Sequence, residues 1–168
     1  MRKQPSNSKQ HFILMKRDGF DNQGSLISAT SGIQALCRAG YWPLWERTRC
    51  KSMVKPGDDL LLYSAGDGKD TKHIVGFAKV ERIDTWRAEY AKSYPILLDG
   101  VPERILILSK QTLFKRPLSM REVIAKMSFA PDNLKKWGVC FMGGMRSIPT
   151  KDFDILMKEI VKVQGEAV

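Results

Sequence analysis

Two short apolar runs joined by a glycine-rich turn set the strongest constraint on how this chain folds. In "VKPGDDLLLYSAG" (54–66) a Pro-Gly turn feeds the run Leu60 to Tyr63, and "KHIVGFAKVERI" (72–83) follows after the loop "SAGDGKD". The second run is β-branched and alternates in places, and turn residues bound both, so each reads as a strand. A third run, "HFILM" (11–15), is apolar throughout and opens the core as a buried strand. A sheet is therefore the scaffold.

The remaining segments arrange themselves around it. "KRDGFDNQGS" is a polar loop, after which residues 26–39 read as a helix with Ser25 as N-cap and Gly40 as its stop. Pro43 prevents that helix from continuing, so "YWPLWERTRC" (41–50) reads as a loop. "SYPILLDGVPERILILSK" (93–110) reads as two strands around an Asp99-Gly100 turn. "PLSMREVIAKMSF" (117–129) is helix-like, and "WGVCFMGG" (137–144) reads as a last strand. The final helix starts at Pro149 and carries Phe153, Leu156, Ile160 and Val163 on one face. One α+β domain spans residues 10–163, with a basic, disordered arm at 1–9 and a short tail at 164–168.

Charge then narrows the function. The 168 residues carry a net charge of +10, which points to a negatively charged partner, with nucleic acid ahead of acidic lipid or acidic protein. No apolar stretch is long enough for a membrane span, and the N-terminus lacks the apolar core of a signal peptide. Cys37, Cys50 and Cys140 are odd in number and widely spaced, as expected of reduced thiols in a cytoplasmic protein. His11 and His73 have no companions at metal-ligand spacing, and "GDGKDT" (66–71) fails as a phosphate loop. Asp58 and Asp59 are adjacent, so on a strand they point to opposite faces and cannot act as one carboxylate pair. Nothing here argues for catalysis, a metal or a cofactor.

The informative features are the aromatics Tyr41, Trp42 and Trp45, the strand-end pair Tyr63-Ser64, and "KKWGVCFMGGMRSIPTKDF" (135–153). Together with "HFILMK", "VKPGDDLLLYSAG" and "IVGFAKV" in the same order, they resemble the EVE domain. That family is a branch of the PUA-like superfamily, which also holds the YTH and ASCH domains. The resemblance covers residues 10–163. It implies a curved, barrel-like mixed sheet flanked by helices, with a pocket for a single nucleobase, often methylated, displaced from its strand.

Carried over residue by residue, the resemblance places Trp42 at the family's loop tryptophan and makes Trp45 an extra aromatic. Either indole could form the pocket wall. Tyr63 and Ser64 match pocket-bordering positions, Trp137 matches an aromatic before the last strand, and Arg146 a basic residue just beyond it. Lys16 and Asn22 are candidates for the polar base contact after the first strand. The expected phosphate contacts are Arg47, Arg49 and Lys51, then Lys135, Lys136 and Arg146. The amides of Gly143 and Gly144 join them, read as a helix start. Trp86 reads as structural.

The expected function is a non-catalytic module that binds a modified base, with DNA favoured, working with a separate nuclease or other effector. The alternatives are an RNA or tRNA reader, or an enzyme acting on modified nucleotides. The enzyme requires Asp58, Asp59 or Glu46 to face the aromatic cluster. Extrusion of a base costs a few kcal/mol, and each aromatic stack returns roughly 1–3 kcal/mol. A methyl group adds only about 0.8 kcal/mol, short of the roughly 1.4 kcal/mol that tenfold selectivity needs. A shaped cavity must supply the rest.

Overall fold

The computed structural model describes residues 8–66, 71–96, 98 and 100–165. Most of the expected N-terminal arm, the tip of the "SAGDGKD" loop, Asp99 and residues 166–168 lie outside the described residues.

The chain begins with β1 (His11–Lys16), followed by β2 (Gly19–Phe20), β3 (Leu26–Ile27), α1 (Ala29–Ala39) and β4 (Tyr41–Leu44). Next come β5 (Asp59–Ser64), β6 (His73–Thr85), α2 (Ala88–Ser93) and β7 (Arg104–Ser119). α3 (Met120–Val123), β8 (Met145–Ile148) and α4 (Thr150–Gly165) complete it. Six strands form one mixed sheet in the order β4-β7-β6-β5-β1-β8. β1 lies parallel to β5, with Leu14 opposite Leu62 and Lys16 opposite Ser64. It lies antiparallel to β8 on its other side.

The apolar runs explain why β1 and β5 are central. Phe12, Leu14, Leu60 and Leu62 enter one core, beneath α1. Ile13, Met15, Leu61 and Tyr63 enter a second core, beneath α4 and the 120–141 segment. Strands buried on both faces need no polar alternation. β6 and β7 are long, and their register shifts at Ile74/Gly76, Phe77/Lys79 and Val80/Arg82. Each bulge bends the strand and increases its twist, which curls the sheet into a half-barrel.

Five local expectations are corrected. The first helix starts at Ala29, not Leu26, because Ser28 is the cap: its Oγ accepts from the Ser31 amide at 3.2 Å. Leu26 and Ile27 pair instead with Gly19 and Phe20. Its stop is Gly40, as expected, with φ 81° and its N–H on the Leu36 carbonyl. Residues 41–44 form an edge strand rather than a loop, and Pro43 fits there because an edge strand can lack one N–H.

The described residues among 93–98 belong to no strand; β7 pairs with β6 and runs on through Pro117 to Ser119. That shortens the expected 117–129 helix to α3 and a 3-10 turn at Ile124–Lys126. Finally, Leu134–Phe141 is 3-10 helical, and the last strand begins only at Met145. Trp137 and Phe141 are four residues apart and both buried in the same core, a helical spacing and not an alternating one.

A buried charge cluster pins β1 to β5 and β6. The Asp59 carboxylate, 5% exposed, lies 2.8 Å from Lys79 Nζ, 3.5 Å from Lys9 Nζ and 3.2 Å from His11 Nδ1. His11 in turn stacks on Phe153 of α4 at 4.0 Å. Asp59→Ala leaves Lys9 and Lys79 without their counter-charge. It should lower unfolding free energy by about 2 kcal/mol in a urea titration, less than for a fully buried pair because both lysines keep water contact.

Candidate nucleic-acid interface

The parallel strands β1 and β5 end together, where the Ala65 amide donates to the Lys16 carbonyl at 2.8 Å. Three cavities ring this point, and Arg17 lines all of them. An inner chamber of about 160 Å³ is walled by Lys16, Leu36, Trp42, Trp45, Thr48 and Tyr94. An outer chamber of about 500 Å³ shares Lys16, Trp45 and Tyr94 with it and is completed by Asp18, Phe20 and Ile96. The third cavity, about 450 Å³, opens beside the second core and contains Tyr63, Trp137 and Phe141.

Local hydrogen bonds fix the Trp45 wall. The Trp45 amide donates to Thr48 Oγ1 at 2.9 Å and the Thr48 amide returns to the Trp45 carbonyl at 3.0 Å, closing a tight turn. The Arg49 amide then donates to the Gly143 carbonyl at 3.0 Å, and the Met15 amide to the Gly144 carbonyl at 2.9 Å. Gly143 has φ 89°, and a Cβ there would stand 2.6 Å from Arg49 Cδ. The glycine pair thus ties the aromatic turn to β1 and β8. It does not start a helix, since α4 begins six residues later at Thr150. The amides of Gly143 and Gly144 are therefore not those of a helix start.

The indole of Trp45 is held by packing alone at its polar end: Nε1 is buried and finds no hydrogen-bond partner among the described residues. Beside it, burial lowers the Lys16 ammonium pKa, an effect that nearby Asp18 partly offsets. Lys16 Nζ donates to the Arg17 carbonyl at 3.1 Å. Burial, reinforced by Tyr41, pushes the Tyr94 phenol well above its ordinary value. Tyr94 also stacks on Tyr41 at 6.3 Å and meets Trp86 edge-on at 6.1 Å, so Trp86 braces the wall from behind.

The structure divides the sequence-derived site between the two faces of the sheet. Trp42, Trp45 and Lys16 gather at the inner chamber, and Trp42 is only 4% exposed. Tyr63 and Trp137 belong to the opposite face, where Tyr63 stacks on Phe141 at 4.3 Å and Trp137 meets it edge-on at 5.7 Å. One pocket cannot contain all of them. Ser64 is fully buried, with Oγ 3.4 Å from the His73 carbonyl, and Asn22 is exposed near the β2–β3 turn; neither lines the three cavities. Thr48 and Tyr94 are wall residues that sequence reasoning missed. A threonine three residues after Trp45 was the available signal for the first; Tyr94 had none beyond its aromatic ring.

The expected phosphate contacts separate in the same way. Arg47 and Arg49 are exposed near the Trp45 turn. Lys51 is engaged elsewhere, with Nζ 2.5 Å from Glu103 Oε2 and 2.7 Å from the Glu46 carbonyl. Its hydrogen bond draws the Glu103 carboxyl below the usual range. Lys135 and Lys136 line the third cavity. Arg146 turns into the second core, with its guanidinium 4.2 Å from the Phe129 centroid and Nη1 donating to the Cys140 carbonyl at 3.2 Å. It pairs with neither Asp152 nor Asp154; Asp152 instead accepts from the Ser128 amide and hydroxyl.

The carboxylates required by an enzyme reading lie elsewhere. Asp58 accepts from the Gln10 and Lys55 amides at 3.0 and 2.8 Å, Asp59 holds the charge cluster, and Glu46 is exposed. None of them lines a cavity described above. The carboxylate at the outer chamber is Asp18, whose Oδ1 accepts the Ala29 amide at 2.9 Å at the start of α1. Among the described residues no cluster of His, Cys, Asp and Glu could hold a metal ion, and no helix is long and apolar enough to cross a membrane. The three cysteines are free thiols, and burial raises that of Cys37 to about 11.

No protein-family model matches this sequence, and no curated protein does. Solved structures do match. A hypothetical protein from Leishmania major is similar at 12% identity and a TM-score of 0.58, over 95% of this chain and 99% of that one. Human THYN1, solved in complex with 5-methylcytosine containing DNA, is similar at 14% identity and a TM-score of 0.57, over 90% of this chain and 98% of that one. ASCH from Zymomonas mobilis is similar at 8% identity and a TM-score of 0.54, over 90% and 96%. At such identities the likeness is one of fold. The chain has the PUA-like fold that these ASCH and THYN1 structures share, a curled mixed sheet with helices, and the likeness does not single out the EVE branch.

Proposed function

We propose that this protein is a non-catalytic nucleic-acid-binding module that takes one flipped base, preferentially a methylated base in DNA, into the inner chamber beside Trp45. The observation that carries the reading is the pair of adjacent chambers with common walls at Lys16, Trp45 and Tyr94. The inner one has room for a planar ring and the outer one for its sugar and flanking phosphates. An unsatisfied buried donor costs about 1–3 kcal/mol, so an acceptor on the nucleotide that reaches Trp45 Nε1 would recover part of that. The net charge of +10 supplies the salt-dependent backbone affinity. Similarity in fold to THYN1, whose structure contains 5-methylcytosine DNA, supports the choice of ligand. A separate effector, with a nuclease as the class the EVE resemblance implies, would be directed by this module.

The test compares oligonucleotides that differ only in whether the central position is abasic. Base entry predicts about tenfold tighter binding of the intact strand; equal binding of both would contradict it. Lys16→Met gives a second check. Burial disfavours the charged form of Lys16, so the folded state binds fewer protons there and this residue adds a positive slope of stability against pH toward 10.5, opposed in the same range by the buried Cys37 thiol and Tyr94 phenol. Removing the amine while keeping the stem should leave the melting temperature unchanged or higher, remove that contribution to the slope and weaken base-dependent binding. A variant that melts earlier would assign Lys16 a structural role instead.

A further inference from the structure

We infer that the third cavity is a separate binding site for a nucleotide bearing a phosphomonoester, as a free mononucleotide or as the phosphorylated end of a strand. It is lined by different residues from the base chambers, apart from Arg17, and the inference stands whether or not a base enters beside Trp45.

Charge is the first argument. Arg17, Lys72, Arg121, Lys135 and Lys136 all line this cavity of about 450 Å³, and no acidic side chain appears among its described walls. None of the five forms an ion pair among the described residues, whereas Lys51, Lys79, Arg82, Arg87 and Lys126 each do. The five come from separate parts of the chain: the end of β1, the residue before β6, α3 and the 3-10 segment Leu134–Phe141. Convergence of unpaired cations from four places is costly unless an anion completes it. An internal phosphate carries one charge and repeats along a line, which suits a stripe of cations on a surface. A phosphomonoester concentrates about −1.5 to −2 charges at one point, which suits a concave cluster.

The walls supply the second argument. The cavity also contains Tyr63, Trp137 and Phe141, with Lys72 Nζ 5.9 Å from the Trp137 ring centroid. At its rim Val139 and Met142 are 57% and 48% exposed, apolar surface that inorganic phosphate would leave uncovered. A ligand with an anionic end and a flat apolar body matches both halves. An anionic membrane matches less well, because the cations and aromatics line a recess and not a projecting surface.

The experiment titrates the full chain with a short single strand carrying either a 5′-phosphate or a 5′-hydroxyl, and with AMP, inorganic phosphate and phosphatidylserine vesicles as competitors. The 5′-phosphorylated strand should bind about tenfold more tightly than its hydroxyl counterpart. AMP should compete at lower concentration than inorganic phosphate. The Arg121→Gln/Lys136→Gln double variant changes two exposed side chains and should erase the difference between the strands at an unchanged melting temperature. Trp45→Ala should preserve that difference, which separates failure here from failure of the base-reading proposal. Equal binding of the two strands, inorganic phosphate competing as well as AMP, or preferential capture by vesicles would each overturn the inference.

Discussion

Trp42→Ala should lower the unfolding free energy by about 3–5 kcal/mol, the range for deleting a large aromatic from a core. With a urea slope of about 2 kcal/mol/M for a domain of this size, the midpoint falls by roughly 2 M. The reason is position. Trp42 is 4% exposed, sits in β4 opposite Leu106 and packs with Leu36, Leu44 and Tyr94 in the first core. It closes the back of the inner chamber, so its loss collapses the wall along with the strand edge. A drop in binding by this variant therefore reports folding before it reports recognition. A midpoint within 0.5 M of wild type, roughly 1 kcal/mol at that slope, would show that the residue is not a core plug.

Trp45→Ala should behave in the opposite way. The residue lies just beyond β4, is only partly buried, and its main-chain turn with Thr48 does not use the indole. The fold should survive with a small change in melting temperature. Binding of a modified-base oligonucleotide should fall about 5- to 150-fold, the equivalent of the 1–3 kcal/mol that one aromatic contact to a base supplies. Binding of an unmodified strand, carried mainly by phosphate contacts, should change far less. Equal losses on both would remove Trp45 from the base wall.

The two tryptophans also show how much of this was legible in the chain. "YWPLWERTRC" announced aromatic rings next to cations, and Pro43 suggested a loop. What the local sequence could not express was an unpaired edge where a proline costs nothing, so the strand that buries Trp42 was invisible. Strands β1, β5 and β6 were legible because an apolar run bounded by turn residues has few other fates. α4 was legible because Phe153, Leu156 and Ile160 repeat at helical spacing.

The site was legible as a set of residue types and not as a place. Tyr63 and Ser64 are neighbours on β5, and alternation alone sends them to opposite faces, so no single pocket could take both side chains. Lys135, Lys136 and Trp137 were recognisable as cations beside a ring. That the curl of the sheet sets them against Arg121, Lys72 and Arg17 depends on contacts from four distant segments. Gly143 illustrates the same limit: its positive φ serves the passage of Arg49 across it, a relation between residues 94 positions apart.

The central claim is most directly tested by binding to matched duplexes carrying cytosine, 5-methylcytosine, 5-hydroxymethylcytosine, adenine or N6-methyladenine, with RNA counterparts, at two salt concentrations. Wild type and Trp45→Ala are measured side by side. The account predicts a preference for one modified base in DNA that persists at the higher salt and disappears in Trp45→Ala. A preference confined to the RNA set would move the assignment to an RNA reader. Uniform binding that fades with salt in both proteins would contradict base recognition and leave only a basic surface.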